Sequence, residues 1–225
     1  MERFDVRYLE SQLAQLLDVA GWIGPAEVLP PLERGAADPS THVARFAIPS
    51  LFRRGEDVAD AHIARVAADP FVRVGLYRDL AALGHAMRIP PAQRSRSAFA
   101  TSDLLEWASR FVFELALFTR ELELLARFEG RHRGAPAHLY LYRLGLKDGS
   151  RAAIAGPYPV SAPEGPLRGA STAMSRAPFT DRDVREQVRL LLEENAWSSA
   201  PEDRLTLADW ESSPWHGLGV EGWRP

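Results

Sequence analysis

The sequence predicts a mainly helical α+β protein, and three observations carry that prediction. Several stretches repeat apolar side chains at alternating steps of three and four residues, as the buried stripe of a helix does. Residues 138–146 instead alternate with a period of two and precede an Asp-Gly turn, which is typical of a β-hairpin. The 225-residue chain is 46% hydrophobic and 25% charged, as globular proteins commonly are. We therefore expect a helical N-terminal lobe and a small C-terminal lobe made of a hairpin and a helix.

The strongest helical signal lies in residues 101–130 and predicts one long central helix over about 102–129. Its apolar residues fall on one stripe: Leu104, Ala108, Phe111, Leu115, Phe118, Leu122 and Leu125. Thr101, Ser102 and Asp103 offer N-caps, and Gly130 suits the position after a helix end. Glu114 is the single acid within the apolar run FVFELALF. It is either a buried carboxylate with a raised pKa or, as its place beside the stripe favours, a residue that reaches solvent.

The N-terminal part predicts three further helices and one strand. Residues 4–20 are expected to form a helix that ends at Gly21. Its predicted buried face consists of Val6, Leu9, Leu13, Leu16, Leu17 and Ala20. Residues 41–48 alternate loosely and predict a strand stopped by Pro49. Residues 56–68 and 70–87 predict a pair of helices.

The C-terminal part predicts a hairpin, a long loop, a helix and a tail. Residues 151–155 are expected to return as the second strand of the hairpin, and residues 156–178 form a loop rich in Gly, Pro and Ser. A helix should begin at Thr180. We expect three parts, namely a helical lobe at 1–134, a lobe of hairpin, loop and helix at 135–196, and a tail at 197–225, or a single domain that includes all three.

Composition excludes several classes of chemistry. The chain has no cysteine, which excludes disulfides, thiolate nucleophiles, zinc–thiolate sites and iron–sulfur clusters. The net charge of −3 gives no general attraction to nucleic acid or to an anionic membrane. No apolar run approaches the roughly 20 residues that span a bilayer. The acidic, amphipathic N-terminus and the bias toward Arg over Lys lead us to expect a cytoplasmic, bacterial protein.

The sequence does not indicate a catalytic motif, a metal site or a cofactor site. Residues 217–222 match G-x-G-x-x-G as letters, but the chain ends three residues later, without the helix that a dinucleotide fold needs. The six histidines include no pair with helical metal-ligand spacing. His138, beside two tyrosines of the predicted strand, is the best candidate for proton transfer. We expect no catalytic residue, no metal and no cofactor.

Three functional hypotheses follow, and the first is a non-catalytic protein-interaction or accessory factor. It would bind a protein partner, or a second copy, through the loop at 156–178 or through tail tryptophans that few other apolar residues accompany: Trp197, Trp210, Trp215 and Trp223. The second is a small-molecule-binding protein or enzyme with a pocket between the lobes, lined by Glu114, His138, Tyr140 and Tyr142. The third, which the net charge disfavours, is a nucleic-acid binder that uses Arg88, Arg94, Arg96, Arg131 and Arg133.

Overall fold

The computed structural model describes most of the N-terminal half and parts of the C-terminal half. The described residues are 2–111, 118–132, 135–147, 149–160, 165–166, 172–174, 179, 191 and 215–217. Across them the protein is α+β and mainly α, with an antiparallel sheet in its C-terminal part. None of the helices in these ranges is long and apolar enough to cross a membrane.

In the described part of the chain, seven α-helices precede the first strand. They are α1 (Glu2–Ile23), α2 (Leu29–Ala37), α3 (Thr41–Arg53), α4 (Asp60–Ala68), α5 (Arg73–Ala82), α6 (Pro91–Arg94) and α7 (Arg96–Phe111). Single turns of 3₁₀-helix lie at Ala26–Val28 and Ala86–Arg88. The core of this region packs around α3, which contributes Val43, Ala44, Ala47, Ile48, Leu51 and Phe52.

Helices α1 and α3 approach each other closely at Gly21. A Cβ atom placed on Gly21 would lie 2.5 Å from the Cβ and 2.7 Å from the Cα of Ser50. Glycine is therefore required inside α1 at this position, because any side chain would push the two helix backbones apart. The predicted end of the first helix at Gly21 is wrong, since the helix continues to Ile23.

Replacing Gly21 with alanine is expected to lower the free energy of unfolding by about 1–3 kcal/mol, the usual cost of overpacking a tight contact. Chemical denaturation followed by circular dichroism would measure the change. Gln15→Ala, an exposed change on the same helix, should stay within about 0.5 kcal/mol of the parent. A Gly21→Ala protein as stable as the parent would contradict the close approach, because alanine by itself favours a helix by about 1 kcal/mol.

The strand predicted at 41–48 is wrong, because these residues form the first two turns of α3. Buried residues recur along α3 with helical rather than alternating spacing, and they reach the core of the helical region. Pro49 lies inside this helix. The hydroxyl of Ser50 donates a 2.8 Å hydrogen bond to the carbonyl oxygen of Phe46, so this short polar side chain is satisfied locally.

The long central helix predicted over 102–129 is also wrong, since α7 is followed by a strand. Helix α7 begins at Arg96, where the Ala98 amide donates to the hydroxyl of Ser95. The predicted caps at 101–103 therefore lie inside the helix. Strand β1 (Phe118–His132) then pairs antiparallel with the next strand, β2 (Ala135–Leu146), along most of its length. The backbone N–H and C=O groups of β1 therefore bond to a neighbouring strand and not within a helix. The helical spacing of the apolar residues does not indicate this pairing.

Among the described residues, the sheet has five strands in the order β4-β3-β2-β1-β5. The strands after β1 are β2 (Ala135–Leu146), β3 (Gly149–Pro159), β4 (Thr172–Met174) and β5 (Trp215–Gly217). The predicted hairpin is confirmed as β2 and β3, although both strands are longer than expected. Gly149 has a φ of 124° in the turn, a conformation that side chains disfavour.

The chain divides into two compact units, which we call the helical unit (Met1–Ser102) and the sheet unit (Asp103–Pro225). The domain limit expected after residue 134 differs from this division. That limit would separate β1 from β2, whereas the two strands form the longest ladder of the sheet. The second half of α7 therefore belongs with the sheet.

Candidate functional site

A cluster of buried tyrosines occupies one face of the sheet. Tyr140 and Tyr142 lie on β2 opposite Ala155 and Ala153 of β3, so large side chains stand beside small ones. Tyr158 of β3 contacts Tyr140 edge-to-face, with 5.8 Å between ring centroids. All three tyrosines are at most 2% exposed. Together they form the aromatic core of this face.

Tyr158 links the tyrosine cluster to α7. Its hydroxyl donates a 2.8 Å hydrogen bond to Oδ2 of Asp103. Burial raises the pKa of Tyr158 far above its ordinary value, and the neighbouring Asp103 carboxylate raises it further. The phenol therefore stays protonated and acts as a hydrogen-bond donor to the second half of α7, within the same compact unit, rather than as a base.

Three of the four predicted pocket residues fall in or beside this cluster. Tyr140 and Tyr142 are packed inside the core, and the half-buried ring of His138 meets the edge of Tyr140 at 6.4 Å. Glu114 lies outside the described residues. The two tyrosines fill the space that they would have to line in a pocket open to a ligand.

Two of the five arginines considered for anion binding use their donors within the helical unit. Arg88 pairs with Asp57 and Asp60 at 2.7 Å and also donates to the carbonyl oxygen of Val58. The hydrogen bond from Arg88 lowers the pKa of Asp57 below its ordinary value. Arg94 is buried, and its Nε donates to the carbonyl oxygen of Ile89.

The other three candidate arginines lie at or after the start of α7. Arg96 is the first residue of α7 and is half-buried. Arg131 stands in β1, in register with Pro136 of β2. Arg133 lies outside the described residues. The four described arginines therefore come from four separate elements of the chain.

The tryptophan-rich tail is described at one point. Residues 215–217 form β5, which pairs antiparallel with β1, and Trp215 stands opposite Phe128 in register. Trp197, Trp210 and Trp223 lie outside the described residues. At Trp215, therefore, the tail backbone adds a strand to the sheet of its own chain.

The most extensive apolar surface in the described chain lies on α1 and was not predicted. Helix α1 buries Ala14, Leu17 and Gly21 against the helical unit. Its other side, which we call the α1 face, is exposed and comprises Tyr8, Leu9, Leu13, Leu16, Val19, Trp22 and Ile23. The exposed fractions range from 42% at Leu13 to 79% at Ile23. Of the predicted buried stripe, Leu9, Leu13 and Leu16 are exposed, which corrects that prediction, whereas Leu17 is buried as predicted and Ala20 is half-buried. The side chain of Val6 lies outside the described residues.

A signal for this surface is present in the sequence. Residues 8–23 contain a second, narrower line of small and apolar residues, Ala14, Leu17 and Gly21, about a third of a turn from the leucine stripe. A helix at the edge of a domain packs one side inward, so one of its two apolar sides must remain exposed. The close approach at Gly21 shows which one faces inward.

Polar groups hold one edge of the α1 face in place. The guanidinium of Arg53 lies 4.5 Å from the ring centroid of Trp22, and its Nη1 pairs with Asp18 at 2.6 Å. Trp22 is nevertheless 68% exposed. A tryptophan that is fixed on one side and open on the other has little conformational entropy to lose when another surface covers it.

The described residues do not group three or more His, Asp or Glu side chains in a way that could hold a metal ion. Comparison with known proteins gives no family: no family model matches the chain, and no curated protein or solved structure matches it significantly.

Proposed function

We propose that this chain is a non-catalytic interaction or accessory factor that acts in the cytoplasm and binds a protein partner through the α1 face. The observation that supports this proposal is a helix surface over residues 8–23 that carries seven exposed large apolar side chains. The only charged residues in that segment are Glu10 and Asp18, and both lie outside the exposed arc. The Trp-rich tail and the loop at 156–178 are proposed as further partner-binding segments.

Seven large apolar side chains exposed on one side of a helix are costly to leave in water, even though the exposed Gln12 lies among them. A cluster of this kind is typical of protein interaction sites, whereas single exposed leucines are common and carry no such meaning. Tryptophan and tyrosine are also enriched among the residues that contribute most to protein binding. The α1 face contains both aromatic types at opposite ends, with leucines between them.

The two alternative functions have less support from the described residues. An open ligand pocket on the sheet would require space at Tyr140 and Tyr142, which are packed in the core. A nucleic-acid surface would require guanidinium groups that point toward phosphates, whereas Arg88 and Arg94 bond to groups of their own unit.

A matched pair of substitutions tests the proposal. Val19 on the α1 face and Val160 after β3 are exposed to almost the same extent, 50% and 49%. In quantitative affinity capture from the native host, we expect Val19→Glu to lose at least tenfold of a partner that the parent and Val160→Glu retain. Glutamate is a better helix former than valine, so Val19→Glu should leave α1 folded. Equal capture by all three proteins would overturn the proposal.

A further inference from the structure

We propose that the α1 face binds the α1 face of a second copy of this chain, with the two helices antiparallel. This inference rests on the proposed function, because it identifies the partner of the same surface. Three features of the α1 face support a second copy as the partner: the spacing of its apolar residues, the position of the nearby charges and its size.

The spacing on α1 is that of a seam between two helices. Leu9, Leu13, Leu16, Ala20 and Ile23 follow one another at steps of four, three, four and three residues. This is the a/d pattern by which two helices pack side by side with about 3.5 residues per turn. A two-fold axis midway between Leu13 and Leu16 sets Leu13 against Leu16, and Leu9 against Ala20, of the other copy. The seam is therefore complementary to itself, as a two-fold interface requires.

The charges beside the seam favour the antiparallel orientation. In a parallel pair in register, Glu10 occupies the heptad position that faces the position of Asp5 in the second copy, so two acids meet on each side. In the antiparallel pair Glu10 is level with residue 19 of the second copy. The two Glu10 residues are then nine residues apart along the axis, about 13 Å at 1.5 Å per residue. That separation exceeds the screening length of about 8 Å at physiological salt.

The size of the face is sufficient for a specific dimer. Stable interfaces bury about 800 Å² per partner. Large aromatic side chains can each bury about 150–250 Å², and the α1 face has two of them together with five aliphatic side chains. Covering this face would bury on the order of 500–800 Å² per copy.

Sedimentation equilibrium of the full chain tests the self-association. The expected result is a mass of twice 25.0 kDa at micromolar concentration, with a shift to the monomer for Leu16→Glu and Val19→Glu and no shift for Val160→Glu. Circular dichroism and thermal melting would confirm that each variant is folded. A parent protein that is monomeric up to about 100 μM, or a dimer that both α1 variants leave unchanged, would overturn the proposal.

Disulfide cross-linking tests the orientation. Because the chain has no cysteine, each introduced cysteine is the only thiol that can react. Leu9→Cys and Ala20→Cys proteins should form a disulfide-linked dimer when mixed and oxidised, and little dimer when each is oxidised alone. The reason is that residue 9 faces residue 20 in the antiparallel pair, whereas two copies of residue 9 are about 16 Å apart. Strong cross-linking of each variant alone would show a parallel pair and overturn the proposed orientation.

The same experiments separate the two proposals. A monomeric parent protein whose capture of another protein still depends on Val19 would overturn self-association and leave the proposed function in place. A monomeric parent without any capture that depends on Val19 would overturn both. A dimer that Val19→Glu and Leu16→Glu dissociate supports both.

Discussion

Replacing Arg73 with alanine is expected to lower the free energy of unfolding by about 3–5 kcal/mol, because several buried acceptors lose their donor together. The Arg73 side chain is buried at the start of α5, and its guanidinium bonds two neighbouring elements. It donates to the carbonyl oxygens of Ala67 and Ala68 at the end of α4, and to the carbonyl oxygen of Ala98 and the hydroxyl of Ser102 in α7. One side chain thus caps one helix and holds a second.

Urea denaturation followed by circular dichroism would measure this effect. Arg73→Lys should recover only part of the loss, since an ammonium group is compact and cannot reach acceptors on both helices as the planar guanidinium does. Arg78→Ala provides the control, because Arg78 is exposed on the same helix and should change stability by less than about 0.5 kcal/mol. If Arg73→Ala unfolds at the same denaturant concentration as Arg78→Ala, the network contributes nothing to stability.

Replacing Tyr158 with phenylalanine is expected to lower the free energy of unfolding by about 1.5–3 kcal/mol at neutral pH, the range for a hydrogen bond to a charged group. The ring and its packing against Tyr140 remain, so the substitution removes little besides the hydroxyl that donates to Asp103. Tyr8→Phe is the matched control, since Tyr8 is 64% exposed and its hydroxyl should contribute little.

The effect of Tyr158 should also depend on pH, with a definite sign. The folded-state pKa of Tyr158 is raised above the ordinary value of 10.0 by burial and by Asp103. A group with a raised folded-state pKa contributes its full stability below its unfolded pKa and loses it as the pH rises further. The stability difference between the parent and Tyr158→Phe should therefore be constant from pH 7 to 9 and shrink above pH 10. A difference that grows above pH 10 would contradict the assigned burial.

The helical part of the fold could be predicted from local spacing, but the side that each helix buries could not. On α1 the leucine stripe satisfies the usual criterion for a buried face, yet the contact at Gly21 turns the neighbouring line of small and apolar residues inward. Spacing identifies an apolar side without identifying what covers it. If α1 pairs with a second copy, the predicted burial would occur in the dimer.

The two wrong predictions of secondary structure have a common physical cause. Residues 41–48 contain β-branched and alternating residues but are helical, because α3 is packed at the centre of the helical unit. Residues 118–132 contain leucines at helical spacing but form β1, because β2 pairs with them in a ladder that joins residues as far apart as Phe118 and Leu146. In both places contacts between distant residues outweigh local preference.

The candidate site could likewise be predicted only in part, because some of its residues come together from distant parts of the sequence. Tyr140 and Tyr142 were expected to lie on one face of a strand, and they do, but Tyr158 and Asp103 were not expected to join them. Tyr158 follows a glycine and a proline and precedes a second proline in an irregular stretch of sequence, and Asp103 resembled a helix cap. The contact between Trp22 and Arg53 was not predicted either, because the residues next to Trp22 in the sequence do not indicate that Arg53 would lie over its ring.

Adjacent residues of α7 are anchored in different ways, and this affects how the gene could be divided. Ser102 accepts a hydrogen bond from Arg73, and Asp103 accepts one from Tyr158. The boundary between the compact units thus falls inside a continuous helix and not in a linker. Expressing either unit alone would create a new helix end with four backbone groups that lack partners. Fragments meant to fold separately should therefore overlap, so that each keeps the whole of 96–111.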